Sequence, residues 1–260
     1  MNRLLILILL LAMSCQDDDT PSESLSPTGL IKDNLLESNG IERAYHLFIP
    51  ENYTNKPVVI ILHGNGGSHD DILGFTNVKS PHKIWLSIAE QNEFIVVVPN
   101  GTLGDNDRRG WNDCRMDSSG QTSADDVTFI VDLLNSIKEE YDFDEDKVYI
   151  AGTSNGGHMA IRLAQDLAER ITAFASIVSS MPENSTCTNS STPISALFMN
   201  GTEDPLLPYE GGEMASNRGT VLSTQESIDY WITRNGTSNI PEIEDIPNTC
   251  LLYTSPSPRD

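Results

Sequence analysis

The sequence predicts one α/β domain with a mostly parallel, doubly wound sheet and helices on both faces. Three observations carry this expectation. Short apolar runs at Val58–Leu62, Phe94–Val98, Val148–Ala151 and Ile194–Met199 suit strands buried on both faces. Helical patterns lie between them, at Pro81–Glu93 and Ala124–Tyr141. The chain has 260 residues, 38% of them hydrophobic, and no internal repeat, which bounds it to a single large domain.

Residues 1–30 read as export machinery. Asn2-Arg3 precede an apolar run from Leu4 to Met13, too short to span a membrane as a stable anchor. Residues 1–14 are therefore expected to be a signal peptide. Ala12-Met13-Ser14-Cys15 resembles a relaxed bacterial lipobox, which would make Cys15 a lipidated first residue; the alternative is an ordinary signal peptide cleaved nearby. Asp17-Asp18-Asp19 resembles the surface-export signal of Bacteroidetes-type lipoproteins. Residues 15–30 are rich in Ser, Pro, Thr and Asp and read as a flexible tether. The expected location is outside the cytoplasm, as an outer-membrane or cell-surface lipoprotein or a secreted protein.

The domain then occupies residues 31–249. Leu35-Leu36-Glu37 and Arg43–Ile49 flank Ser38-Asn39-Gly40, a hairpin signal. Val58–Leu62 runs into His63-Gly64-Asn65-Gly66-Gly67-Ser68, a glycine loop at the end of a buried strand. After the helix at 81–93 and the strand at 94–98 comes a polar loop, Asp105–Ser123, containing Trp111 and Cys114. Trp111 is read as a wall of an acyl pocket or as an anchor packed on the core. Asp125 and Asp126 cap and shape the next helix.

Val148-Tyr149-Ile150-Ala151 ends in Gly152-Thr153-Ser154-Asn155-Gly156 and passes directly into a helical pattern. Strand, Gly-x-Ser-x-Gly and helix together are the context of a nucleophile elbow. Gly152 and Gly156 leave room for a tight turn that projects Ser154. The N-terminal amides of the following helix then favour an oxyanion. The Asn65 and Asn155 N–H groups are expected to form the oxyanion hole, each worth about 3–4 kcal/mol in the transition state.

In order along the chain stand His63-Gly-Asn-Gly-Gly, Gly110-Trp111-Asn112, Asp125-Asp126-Val-x-Phe-Ile, Gly-Thr-Ser154-Asn-Gly-Gly and Asn200-Gly-Thr-Glu-Asp204-Pro-Leu-Leu-Pro-Tyr209. This set resembles the extracellular polyhydroxybutyrate depolymerase/feruloyl esterase family of α/β-hydrolases, over residues 41–236. The resemblance implies the α/β-hydrolase fold and a secreted serine esterase using Ser, Asp and His. Its implied substrates are feruloyl or acetyl esters on plant polysaccharide, or short polyesters. It makes Asp204, in the loop after the Ile194–Met199 strand, the triad acid, with Glu203 the neighbouring alternative. Cys114 and Cys187, both in loops on one side of the sheet, are a candidate disulfide in an exported protein or else two free thiols.

No histidine follows Asp204, although the acid precedes the base in this fold. Of the five histidines only His158 follows Ser154; one turn into the elbow helix, it reads as structural, and His63 as loop-shaping. Thr220–Arg234 is expected to be a helix. The tail Cys250–Asp260 resembles the translation of a sequencing-library adaptor, so the last strand and the histidine loop are expected to be missing. The competing reading is a non-catalytic carbohydrate- or partner-binding relative that has lost its base.

The formal charge of −22 argues against nucleic acid or an anionic membrane face as partner. The expected partner is an ester substrate, polymer-linked, with membrane contact only through an N-terminal lipid. No cofactor or metal site is suggested, because the chain has no CxxC and no His/Cys cluster.

Overall fold

The computed structural model describes residues 28–78, 80–119, 121–188, 190–238, 240–242 and 253–254. The expected signal peptide at residues 1–14, Cys15 and Cys250 lie outside the described residues. Among those described, no helix is long and apolar enough to cross a membrane.

Eight strands form one sheet. They are β1 (Gly29–Ser38), β2 (Ile41–Ile49), β3 (Val58–Leu62), β4 (Ile95–Pro99), β5 (Val148–Thr153), β6 (Ala173–Ile177), β7 (Ser195–Met199) and β8 (Tyr253–Thr254). Their spatial order is β1-β2-β4-β3-β5-β6-β7-β8. From β4 to β7 every pairing is parallel; β1 with β2, β2 with β4, and β7 with β8 are antiparallel. At the β7 edge of the sheet, the two-residue β8 sets Tyr253 opposite Phe198 and Thr254 opposite Leu197. β1 begins at Gly29, two residues inside the stretch expected to be tether. The β1–β2 turn places Asn39 and Gly40 both at positive φ, the backbone that a two-residue hairpin with right-handed strand twist requires.

The helices are α1 (His69–Ile72), α2 (Trp85–Asn92), α3 (Asp126–Tyr141), α4 (Asn155–Asp166) and α5 (Thr224–Asn235). The strand pleat divides the core between them. Val58, Ile60, Leu62, Val97 and Ile150 face one way, onto Phe129 and Leu133 of α3 and Met159 of α4. Val59, Ile61, Val96 and Val98 face the other way, onto Ala89 of α2 and onto Ile72 and Leu73. Each such side chain contributes about 1.5–3 kcal/mol when fully buried. This two-sided burial is why the central strands read as unbroken apolar runs.

Two boundaries differ from the sequence reading. The first turn of the 81–93 segment is a 3-10 turn, Pro81–Ile84, before α2 starts. The last helix begins at Thr224 rather than Thr220, because Thr220–Val221 pairs with Gly212–Glu213 in a short hairpin. Ser223 and Glu226 form a reciprocal capping box, a Ser-x-x-Glu signal present in the sequence that marks the true start.

Candidate active site

Ser154 stands alone between the end of β5 and the start of α4, with φ +56° and ψ −122°. A non-glycine residue there costs of order 1–3 kcal/mol and persists only when its surroundings enforce it. They do. A Cβ on Gly152 would lie 2.0 Å from the Gly156 carbonyl oxygen, and one on Gly156 would lie 2.4 Å from that of Leu62. Any side chain at either glycine would push the strand and helix apart. Ser154 occupies the N-cap position of α4, where a serine normally spends its hydroxyl on a helix amide. Here it makes no side-chain cap bond. Its backbone is pinned instead, its N–H donating to Ile177 O (2.8 Å) and its carbonyl accepting from His158 N (3.0 Å). The half-buried Ser154 lines a cleft.

The loop after β3 runs alongside. A Cβ on Gly64 would come within 3.4 Å of Ser154 Cβ. Gly66, at φ +80°, donates to Arg109 O (2.6 Å), which ties the glycine loop to the 101–110 segment. Asn65 and Asn155 both line the cleft. Among the described residues, neither backbone N–H has a protein acceptor. The Asn155 side chain is fully used elsewhere. Its Oδ1 accepts from Trp111 N (2.7 Å), and its Nδ2 donates to Trp111 O (3.1 Å) and Asp113 Oδ2 (2.6 Å).

His63 is sealed beneath this loop. Its Nδ1 donates to Gly64 O (2.8 Å) and its Nε2 accepts from Gly101 N–H (3.0 Å), which fixes the neutral tautomer. Burial pulls its pKa down to about 4. His63 therefore shapes the loop, as its sequence position suggested. His158 is buried under the elbow. Burial, then the charge of Arg115, holds its pKa at about 3. Trp111 is also fully buried, donating from Nε1 to His63 O (2.8 Å) with its ring 5.0 Å from that of His63. Of its two expected roles, these contacts are those of an anchor, though it also lines the cleft floor.

Asp204 lies in the loop after β7, half-buried. Its Oδ1 accepts from the N–H groups of Leu206 (2.8 Å) and Leu207 (3.0 Å), which orients the carboxylate; neighbouring Glu203 is exposed. Cys114 and Cys187 are bonded, with Cα atoms 5.2 Å apart. Asp125 caps α3 through Thr128 N (3.0 Å), while the fully buried Asp126 pairs with Arg43 Nη2 (2.6 Å).

Several residues at the site were not anticipated. Asp113 is fully buried and binds Arg115 Nη2 (2.6 Å), Asn155 Nδ2 (2.6 Å) and Gln121 Nε2 (2.8 Å). Burial alone would push its carboxyl up, but the Arg115 charge and hydrogen bonds hold it below the usual carboxylate range. Asn200 staples three segments, accepting from Ser179 N (3.0 Å) and donating to Ser180 Oγ (3.2 Å) and Thr224 Oγ1 (3.0 Å). His82 Nε2 lies 3.0 Å from Thr153 Oγ1, beside the elbow. Val178 is held at φ +55°, where a β-branched residue is rarely found, and nothing in its local sequence announces that.

One histidine cluster lies away from the cleft. Asp33, His46 and His69 bring potential donor atoms within 4.8 Å of one another. Both nitrogens of His46 are already engaged, Nδ1 by Asp33 N–H (3.1 Å) and Nε2 by Asp70 Oδ1 (3.0 Å). The His46 and His69 rings stack at 3.9 Å, which aims their in-plane lone pairs along parallel planes rather than at one point. The cluster as built is a latch on the β1 bulge.

Residues 83–217, just over half of the chain, match the family described as the prolyl oligopeptidase family. The chain belongs to that family. The match takes in Ser154 and Asp204 but stops short of the Asn65 loop. Probable feruloyl esterase C of Aspergillus niger is 28% identical over 227 residues, covering 84% of this chain and 76% of that protein. Bifunctional acetylxylan esterase/xylanase XynS20E of Neocallimastix patriciarum is 26% identical over 218 residues, covering 84% of this chain but 29% of that protein. The solved structure of sOPH superposes with a TM-score of 0.55 at 18% identity, covering 81% of this chain and 78% of that one. The fold is that of the α/β-hydrolases, with a mostly parallel central sheet between helices.

Proposed function

We propose that this protein is an exported serine carboxylic ester hydrolase working through an acyl-enzyme. Its substrates in this reading are feruloyl or acetyl esters of plant polysaccharide, or short polyhydroxyalkanoate esters. The observation that carries the reading is Ser154 at the head of α4, at positive φ, with its hydroxyl released from capping and the Gly64-Asn65 loop against it. The similarity to feruloyl and acetylxylan esterases supports the ester class.

In this mechanism Ser154 Oγ attacks the ester carbonyl carbon and gives its proton to an imidazole. The Asn65 and Asn155 amides hold the oxyanion. The alkoxide leaves with that proton, and water then releases the acid from the acyl-enzyme. Asp204 orients the imidazole, which comes from beyond Asp204. None of the residues from 205 to 260 is a histidine. That gap is what favours the second reading, a relative that binds carbohydrate or a partner without catalysis.

One pair of assays decides between them. The 16–260 chain should show almost no p-nitrophenyl acetate turnover. The gene extended to its natural end should turn the ester over at ordinary esterase rates, and Ser154→Ala should abolish it. An extended protein that is inactive, or active without Ser154, would sink the esterase reading.

A further inference from the structure

The cleft at Ser154 inverts the charge of the molecule. The chain carries 38 acidic and 16 basic side chains, yet among the described residues two arginines and no carboxylate line the cleft. The Arg115 charge is matched by Asp113 at 2.6 Å. Arg218 is different. It is half-buried, and among the described residues no carboxylate pairs with it and no acceptor takes its guanidinium N–H groups.

The backbone that carries Arg218 is clamped. Arg218 O accepts from Arg115 Nη1 (2.6 Å), and Asn217 O accepts from Ser119 N (3.0 Å) and Ser119 Oγ (2.8 Å). Thr220 N donates to Asp117 Oδ2 (3.1 Å), and a Cβ on Gly219 would meet Asp117 Oδ1 at 2.7 Å. Ser216 and Asn217 are held at φ +64° and +52°. Backbone strain of this sort survives only under enforcement and concentrates where a protein presents a side chain. A buried ion pair thus fixes the carbonyl of the residue whose own charge is left unmatched at the cleft.

We propose that Arg218 determines specificity by binding a carboxylate on the saccharide side of the ester, so that the preferred substrates are esters of uronate-bearing polysaccharide. A guanidinium fork matches a carboxylate with two parallel hydrogen bonds. Ser118 and Ser119 line the same cleft, and although Ser119 Oγ donates to Asn217 O it can still accept, so both suit sugar hydroxyls. The acidic surface elsewhere does not oppose this at the site, because screening limits charges to about 8 Å at physiological ionic strength. The proposal rests on the cleft being the ester site, but its test needs no turnover.

The test is calorimetric titration of the 16–260 chain with two sugars, a xylotriose carrying one glucuronic acid and neutral xylotetraose. The acidic sugar should bind at least about tenfold more tightly, the worth of one charge-assisted pair, and lose that advantage in high salt. Arg218→Gln, checked for native circular dichroism, should bring the two sugars within about twofold of each other, and Arg218→Lys should retain part of the preference. Equal affinities in the wild type, a preference that survives Arg218→Gln, or no binding of either sugar would each overturn it. Ser154→Ala should leave the preference untouched, so failure of the esterase reading is read separately, in turnover.

Discussion

Two turns in this molecule hold non-glycine residues at positive φ beside the same cleft, and they are enforced by different means. At Ser154 the enforcement is local. Gly152 and Gly156 sit within two residues of it, and their missing side chains let β5 and α4 close to contact. At Ser216 and Asn217 it is remote. Those residues are held through Arg115, Asp117 and Ser119, about a hundred positions earlier. A turn set by its own neighbours survives the loss of distant partners. A turn set by a buried ion pair fails with that pair.

The largest expected effect breaks the remote clamp. Asp113→Asn leaves Arg115 buried without its counter-charge, and removing one partner of such a pair costs about 3–5 kcal/mol. Urea unfolding measures the loss, and hydrogen exchange locates it. The amides of Met214 and Thr220 should lose protection before those of Ile150 and Ala151. Uniform loss across both regions would mean that the clamp is not separable from the core. Reducing the Cys114–Cys187 bond attacks the same segment from its other side. It should cost about 2–4 kcal/mol, as expected for release of a long closed loop, again read in urea.

Acid should act from beneath the elbow instead. His63 and His158 are neutral in the fold, with pKa values near 4 and 3, against about 6.5 in the unfolded chain. Below pH 6.5 the unfolded chain takes up protons that the folded chain refuses. The stability these rings contribute is therefore complete above pH 6.5 and is lost as pH falls toward 4 for His63 and 3 for His158. Each ring adds a slope of up to about 1.4 kcal/mol per pH unit. Urea midpoints at pH 7.5, 6.0 and 5.0 check it. A flat profile between 7.5 and 5.0 would show that water reaches both rings.

The difference in enforcement also explains what could be read from the sequence. The elbow, the β3 glycine loop, the Asp125 cap and the central strands follow from short-range rules. Glycine is a legible residue because the absence of a Cβ has one steric meaning in a tight turn. The Asp113–Arg115 pair is not legible in that way. Asp113 is one acid among 38, and only the packed fold reveals that it is buried and bonded to Asn155 and Gln121. The short hairpin before α5 escaped for the same reason, since its strands are two residues long. Its neighbour, the Ser223–Glu226 capping box, was in plain sight and would have set the helix start correctly.

The smallest effect tests the local side of the comparison most directly. Ser154→Ala removes the hydroxyl but keeps a Cβ at φ +56°, whereas Ser154→Gly removes both. Relief of that backbone should return of order 1–3 kcal/mol, less the roughly 0.5–1 kcal/mol that glycine's extra freedom costs the folded state. The glycine variant should therefore be about 1 kcal/mol more stable than the alanine variant in thermal or urea unfolding. Asn217→Gly, at φ +52°, should gain less, because asparagine tolerates the left-handed region that serine and alanine resist. If Ser154→Gly gains nothing over Ser154→Ala, the elbow holds no strain, and the two turns differ only in who their partners are.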